Sequence, residues 1–238
     1  MDMGDVTGTL LRPFDQQFIT YDLEFTADGK TIDLVSLGMV SGDGRKLYVV
    51  NRELDEKKLL EHGDGWMRKN VWPHLPLTDL PEVRGELGQY PVKKCRCASA
   101  VEGQKYEWTC RCMNGKLDRD HPDVRPIGQI RRLVSDFIME SHPMGFTGEA
   151  RDRNDVQMWA WYGAYDHVCM VQSLWGEMVK LPSHVPMLTH DLKSEHMRLG
   201  SPTVPAQKGT EHNALADAEG NLAKARFLWG LATDNPHE

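Results

Sequence analysis

The apolar positions of the chain fall first into short runs of strand character. QQFITYDLEFT (16–26) is dense in β-branched and aromatic residues and predicts a strand. Ala27-Asp28-Gly29-Lys30 predicts a turn, TIDLVSLGMVS (31–41) a second strand, Gly42-Asp43-Gly44 a second turn and KLYVVN (46–51) a third strand. Three strands joined by tight turns predict an antiparallel meander. ELDEKKLLE (53–61) reads as a short helix. The period then lengthens: in IGQIRRLVSDFIME (127–140), Ile127, Ile130, Leu133, Val134, Phe137 and Ile138 form one helical stripe. VQMWAWYG (156–163) predicts a buried strand, and AYDHVCMVQSLWG (164–176) a helix stopped by Gly176. Residues 181–210 are loop-rich, with four prolines around a short helix near 190–198, and NALADAEGNLAKARFLWGLA (213–232) predicts a long final helix. The fold class expected is α/β, with a mixed central sheet flanked by helices.

Residues 73–125 break this pattern. They hold five of the thirteen prolines and four of the five cysteines, and no convincing helix, so they read as a loop-rich insertion within a single domain spanning 1–238. Inside it, Cys95-Arg96-Cys97 and Cys110-Arg111-Cys112 lie on two short predicted strands, a hairpin joined by AVEGQ. Residues two apart on a strand share a face, so Cys95, Cys97, Cys110 and Cys112 could hold a structural Zn²⁺. The C-x-C spacing departs from the usual C-x2-C of zinc ribbons, and free thiols or one redox-sensitive pair are the alternative. Cys169 reads as a core residue.

The composition, 40% hydrophobic and 26% charged, is that of a globular protein. No apolar run approaches the ~20 residues that span a bilayer, and MDMGDVTGTLLRPFDQQ lacks a basic segment followed by an apolar one. The expectation is a cytoplasmic protein without membrane contact. A net charge of −7 argues against coating long duplex, which requires many phosphates to be neutralised, but not against gripping the last nucleotides of a strand. It also suits a metal site built from carboxylates.

Candidate chemistry comes from acidic residues far apart in the chain. Asp22 and Glu24 share one face of the first strand, and burying two carboxylates there is costly unless they are paired or hold a cation; a strand end with a solvated acidic face is the alternative. Asp166 follows the strand MWAWYG at a helix start kept slim by Gly163 and Ala164. N-capping there is a common alternative role, since the macrodipole favours an acid. In HNALADA, His212 and Asp217 are five positions apart, ~500° of helical rotation, so His212 is placed on the lead-in loop, with Asn213 near the N-cap and Asp217 in the first turns.

In order and context these pieces resemble the DEDDh superfamily of 3′–5′ exonucleases: D-x-E on the first strand (Asp22-Leu23-Glu24), an acid at a strand-to-helix junction (Tyr165-Asp166) and H-x4-D opening the last helix (His212 to Asp217). YDLEF, DGKTIDLVSLGMV, WAWYGAYDHV, the LWG after it, LPSHVP and HNALADA are similar, in the same order, to segments of the small mycobacterial-type 3′–5′ exoribonuclease family, over roughly 18–72 and 126–230. The element order is that of a ribonuclease-H-like fold. The resemblance implies a two-metal phosphodiesterase that releases nucleoside 5′-monophosphates from the 3′ end of single-stranded RNA. Asp22, Glu24, Asp166 and Asp217 would hold two Mg²⁺ or Mn²⁺ ions, and His212 would act as general base. All-oxygen ligands suit those ions, and imidazoles in general titrate near working pH. It also implies a homodimer, and a nucleotide contact for Phe25, which directly follows the D-x-E.

Trp159, Trp161, Tyr162 and Tyr165 surround Asp166. Stacking on bases is one role for them and core packing the other, the latter favoured for Trp159 and Trp161. Arg131-Arg132 and Lys57-Lys58 read as solvated helix faces. Two rival functions stand beside the first: a 3′–5′ exodeoxyribonuclease acting on single-stranded DNA by the same chemistry, and a non-catalytic nucleic-acid-binding module on the same fold.

Overall fold

The structure is a computed structural model that describes residues 14–78, 115–142 and 155–234. The meander forms as its alternation requires. β1 (Phe18–Ala27), β2 (Ile32–Ser41) and β3 (Lys46–Asn51) pair antiparallel in succession. Two strands absent from the sequence reading complete the sheet's edges: β4 (Val124–Arg125), parallel to β3, and β6 (His190–Asp191), parallel to β5 (Gln157–Ala160). The order is β4-β3-β2-β1-β5-β6, with β5 parallel to β1. This mixed sheet, with the first three strands antiparallel and β5 and β6 added in parallel beside β1, is the expected ribonuclease-H-like arrangement.

The helices are α1 (Glu56–Glu61), α2 (Trp66–Asn70), α3 (Ile127–Glu140), α4 (Gly163–Trp175), α5 (Leu192–Arg198) and α6 (Ala214–Asp234). They divide between the faces of the sheet according to strand alternation. Ile19, Tyr21 and Leu23 of β1 point one way, into a core with Ile130 and Val134 of α3 and Met170 and Val171 of α4. Phe18 and Val40 point the other way, toward Leu192 of α5 and Ala218, Leu222 and Ala225 of α6. A third cluster beyond β3 joins Val50 and Val124 to Leu59, Met67, Val71 and Trp72. α2, missed in the sequence because it has only five residues, exists to carry part of that cluster. Of the loop-rich region, residues 76–78 and 116–118 form a closed stem: Thr78 N–H donates to the Lys116 carbonyl at 2.8 Å and Asp118 N–H to the Pro76 carbonyl at 2.9 Å. Cys95, Cys97, Cys110 and Cys112 lie outside the described residues. Cys169 is buried in the main core, as expected.

One contact decides where α6 lies. Gly38 of β2 sits opposite Asp22 of β1, and a Cβ built on it would stand 2.3 Å from the Ala214 carbonyl oxygen and 2.5 Å from the Leu215 Cα. Only a bare backbone lets the helix start touch the sheet there. The seat is then locked by the Thr20 hydroxyl, which donates to the Ala218 carbonyl at 2.9 Å, and by the Asn221 amide, which donates to the Tyr21 carbonyl at 3.2 Å. Gly38→Ala is expected to lower stability by about 1–3 kcal/mol, the range for overpacking, and to lift α6. Gly128→Ala, at an exposed site with nothing within 4 Å of the added carbon, is expected to be neutral or mildly stabilising. Thermal unfolding of the two variants checks the contrast; equal melting temperatures would refute the Gly38 contact.

Candidate active site

The seating of α6 sets its first turn over the middle of β1. Asp22 and Glu24 face α6 because they alternate with the core residues Tyr21 and Leu23. Glu24 stands opposite Ser36, and the register then slips so that Phe25 pairs with Leu34, leaving Val35 bulged. Asp217 descends from the first turn of α6. One carboxylate oxygen each from Asp22, Glu24 and Asp217 lie within 4.8 Å of one another.

Asp166 reaches the same place from within the sheet. The apolar run MWAWYG predicts a strand to residue 163, but β5 ends at Ala160 and pairs with β1 only along Phe18–Thr20. Tyr162 then adopts a left-handed backbone, φ 61°, and α4 begins. Beyond β5 the edge of β1 is open, and the N–H of Leu23 would be left without a partner. The Asp166 carboxylate accepts it at 2.9 Å. The acid takes the place of the ladder, which brings it beside Asp22.

Electrostatics follow from this crowding. Burial, then the charges of Asp166, Glu24 and Asp217, hold Asp22 far above the usual carboxylate range. Burial, then Asp217 and Asp166, push Glu24 up to about 8. Asp166 is pushed up to about 7, mainly by burial, against the opposing hydrogen bond from Leu23. Asp217 is raised by burial too, with the Gln207 amide, His212 and Lys224 pulling against it. Four carboxyl groups short of positive charge, with no nitrogen or sulfur donor in the cluster of Asp22, Glu24 and Asp217, are a donor set for hard divalent cations, not for zinc.

His212 stands where the sequence placed it, on the loop leading into α6, in a left-handed backbone with φ 64°. Asn213 caps the helix: its Oδ1 accepts the Ala216 N–H at 3.0 Å, and its carbonyl accepts the Asp217 N–H at 2.9 Å. His212 lowers the Asp217 pKa. Asp22, Glu24 and Asp217 thus meet within 4.8 Å, while Asp166 and His212 lie outside that cluster but near enough to shift the ionisation of Asp22 and Asp217 respectively. Phe25 is half-buried and packs on the main core, alternating with the face that bears the carboxylates. Trp159 is stacked between Phe18 and His190, at 5.7 and 4.4 Å between ring centroids, in the structural role expected. Tyr165 is 66% exposed, so core packing does not account for it. Lys58 is ion-paired with Asp28 and Asp33, an ordinary solvated face.

Four neighbours were not foreseen. Trp66 of α2 packs on the His212 ring, 4.8 Å between centroids at 77°. His74 buries an Nε2 that has no hydrogen-bond partner among the described residues, and burial, then His212, lower its pKa. Gln207 donates to the Asp217 carboxylate at 2.5 Å. Lys224 lowers the pKa of both Asp22 and Asp217. Only Lys224 had a legible signal: it lies seven residues after Asp217, on the same helical face.

Residues 17–229 match the family described as the Rv2179c-like 3′–5′ exoribonuclease domain. The protein is thus of the nuclease class, a phosphodiester hydrolase, and the chain belongs to that family. It is 31% identical over 208 residues to "3′–5′ exoribonuclease Rv2179c" of Mycobacterium tuberculosis strain H37Rv, covering 87% of this chain and 90% of the relative. The same figures hold for "3′–5′ exoribonuclease MT2234.1" of strain CDC 1551. Among solved structures, the ribonuclease domain of yeast Pop2 aligns over 94% of this chain and 80% of its own at 11% identity and TM-score 0.43. The yeast NOT1 MIF4G domain co-crystallised with CAF1 aligns over 94% and 82%, at 12% identity and TM-score 0.41. No described helix is long and apolar enough to cross a membrane.

The raised carboxyl groups bind protons more tightly in the folded chain than in the unfolded one, where they titrate near 4. Their contribution to stability is therefore present at low pH and is lost as pH rises from about 4 through the folded values, about 7 for Asp166 and about 8 for Glu24. Without divalent metal, the melting temperature is expected to fall between about pH 5 and 8. Glu24→Gln is expected to flatten that fall, and an equally steep profile for the variant would show that Glu24 is not under repulsion.

Proposed function

We propose that this protein is a divalent-metal-dependent 3′–5′ exoribonuclease that removes nucleoside 5′-monophosphates from the 3′ end of single-stranded RNA. The observation that carries the reading is the gathering of acids from β1 and α6, with Asp22, Glu24 and Asp217 within 4.8 Å, in a chain of the exoribonuclease family. The relatives carry that activity in their names.

Asp22, Glu24, Asp166 and Asp217 are the residues that would hold two Mg²⁺ or Mn²⁺ ions. When bound, the ions neutralise the cluster and stabilise the charge that builds on the phosphoryl oxygens. Asp166, with one oxygen committed to the Leu23 N–H, keeps its other oxygen for a cation. His212 takes a proton from the attacking water. The water oxygen bonds to phosphorus, the P–O3′ bond breaks, the leaving 3′ oxygen takes up a proton, and a nucleoside 5′-monophosphate results. Trp66 restrains the imidazole, and Gln207 holds Asp217 in place. Phe25, through its exposed part, is assigned the contact with the terminal nucleotide. Four thiols at Cys95, Cys97, Cys110 and Cys112 remain a proposed structural zinc site, and a homodimer and a cytoplasmic location remain part of the reading.

Mn²⁺ is expected to elicit 5′-mononucleotide release from single-stranded RNA. Asp166→Asn is expected to abolish it, and His212→Ala to reduce it about 10²–10⁴-fold. Parallel digestion of RNA and DNA of one sequence, analysed by chromatography of the products, separates the ribonuclease reading from the deoxyribonuclease one. No release with either polymer would favour the binding-module reading. Millimolar Mn²⁺ is also expected to raise the melting temperature, because the ions bind only the folded cluster. Asp22→Ala is expected to fold without metal, at least as stably as the parent, and to lose that rise; an unfolded variant would make Asp22 structural.

A further inference from the structure

We propose that Lys224, with Lys193 beside it, seats a backbone phosphate of the RNA strand at the edge of the carboxylate cluster; the inference rests on the function proposed above and extends it to how the substrate is gripped. Lys224 lies on α6 two turns beyond Asp217. Its charge is felt by Asp22 and Asp217, yet among the described residues no carboxylate forms an ion pair with its Nζ within 4.0 Å. The ammonium group is near the acids without pairing with them.

Lys193 of α5 borders the same indole. Its Nζ is 5.2 Å from the centre of the Trp161 ring, and that of Lys224 is 4.9 Å from it. Two ammonium groups over one indole repel each other. An indole attracts each, but does not supply the missing negative charge. Their polar contacts are not with acids either: Lys193 Nζ lies 3.3 Å from His196 Nδ1, and Lys224 Nζ donates to Asn221 Oδ1 at 3.5 Å. Several surface cations of the chain have acidic partners, as in Lys46–Glu219, Lys58–Asp28 and Arg198–Glu195, and what sets Lys193 and Lys224 apart is their shared indole beside the acids. A pair of cations without acids, held by an aromatic ring beside the place where phosphodiesters are cut, fits the phosphate of a single strand. Trp161, half-buried past the end of β5, gains by this a role other than core packing: it aims the two side chains.

The test is direct binding, not turnover. Fluorescence anisotropy with a labelled oligoribonucleotide whose 3′ linkage is a slowly hydrolysed phosphorothioate, in Mn²⁺, gives Kd across a range of KCl. Lys224→Met and Lys193→Met keep the apolar stem over Trp161 and remove the charge. Each is expected to weaken binding alike for all sequences and to make the slope of log Kd against log[KCl] shallower by about 0.7, the value for one phosphate contact on a single strand. Lys224→Arg is expected to restore the slope. A Lys224→Met protein with the parent's slope overturns the assignment, whether or not its melting temperature falls, since a merely structural lysine would change stability alone. If the parent binds and degrades RNA while both variants match it, only this inference fails. If the parent binds no RNA at any salt, the proposed function fails with it.

Discussion

Like charges forced together at the centre of a sheet are the constraint around which this molecule is arranged. Asp22, Glu24, Asp166 and Asp217 are largely buried, and each is kept from its relaxed ionisation by loss of water, with neighbouring acids adding to it for Asp22, Glu24 and Asp166. Such a cluster opposes folding, so other contacts must hold it. Gly38 and the bonds from Thr20 and Asn221 press α6 onto β1 and β2, and the apolar seam of Phe18, Val40, Leu192 and Leu222 lies directly beside it. The acids are placed by backbone and core contacts that do not depend on their charge.

The same economy governs the backbone. β5 is cut short, and the hydrogen bond it would have made to β1 is made by Asp166. Glu24 precedes a bulge, where the pairing of β1 and β2 slips by one residue. His212 adopts a left-handed conformation uncommon for a residue with a side chain. The irregularity in strand pairing and two of the three described left-handed non-glycine residues, Tyr162 and His212, thus lie within a few residues of the acids, while β3 and α3 stay regular. Consistency between local preference and global fold yields at functional positions first.

That pattern explains what the sequence disclosed. The meander, α3, α4 and α6 were readable because burial on one face imposes a period of two or 3.6. α3 starts and ends at the predicted residues, and the five polar site residues were legible from spacing within elements and from family resemblance. β4 and β6, two residues each, have no period to read; they exist because neighbouring strands offer free edges. α2 is hidden for a related reason, since its amphipathic signal spans barely one turn. Trp66, His74 and Gln207 reach the site from segments whose own sequence says nothing of it, because their placement is tertiary.

Lys224 marks the boundary between these cases. Its spacing from Asp217 is written in the helix, but its significance depends on Trp161 and Lys193, which arrive from the end of β5 and from α5. A net charge of −7 hides this local positive edge. The overall charge would repel RNA at long range; on the proposed reading, attraction comes from ions held by the acidic cluster and from Lys224 and Lys193 at its border. An acidic protein can then act on a polyanion at one end only: the strand is drawn in where positive charge is concentrated and is repelled elsewhere, which suits an enzyme working from a terminus better than one tracking a duplex.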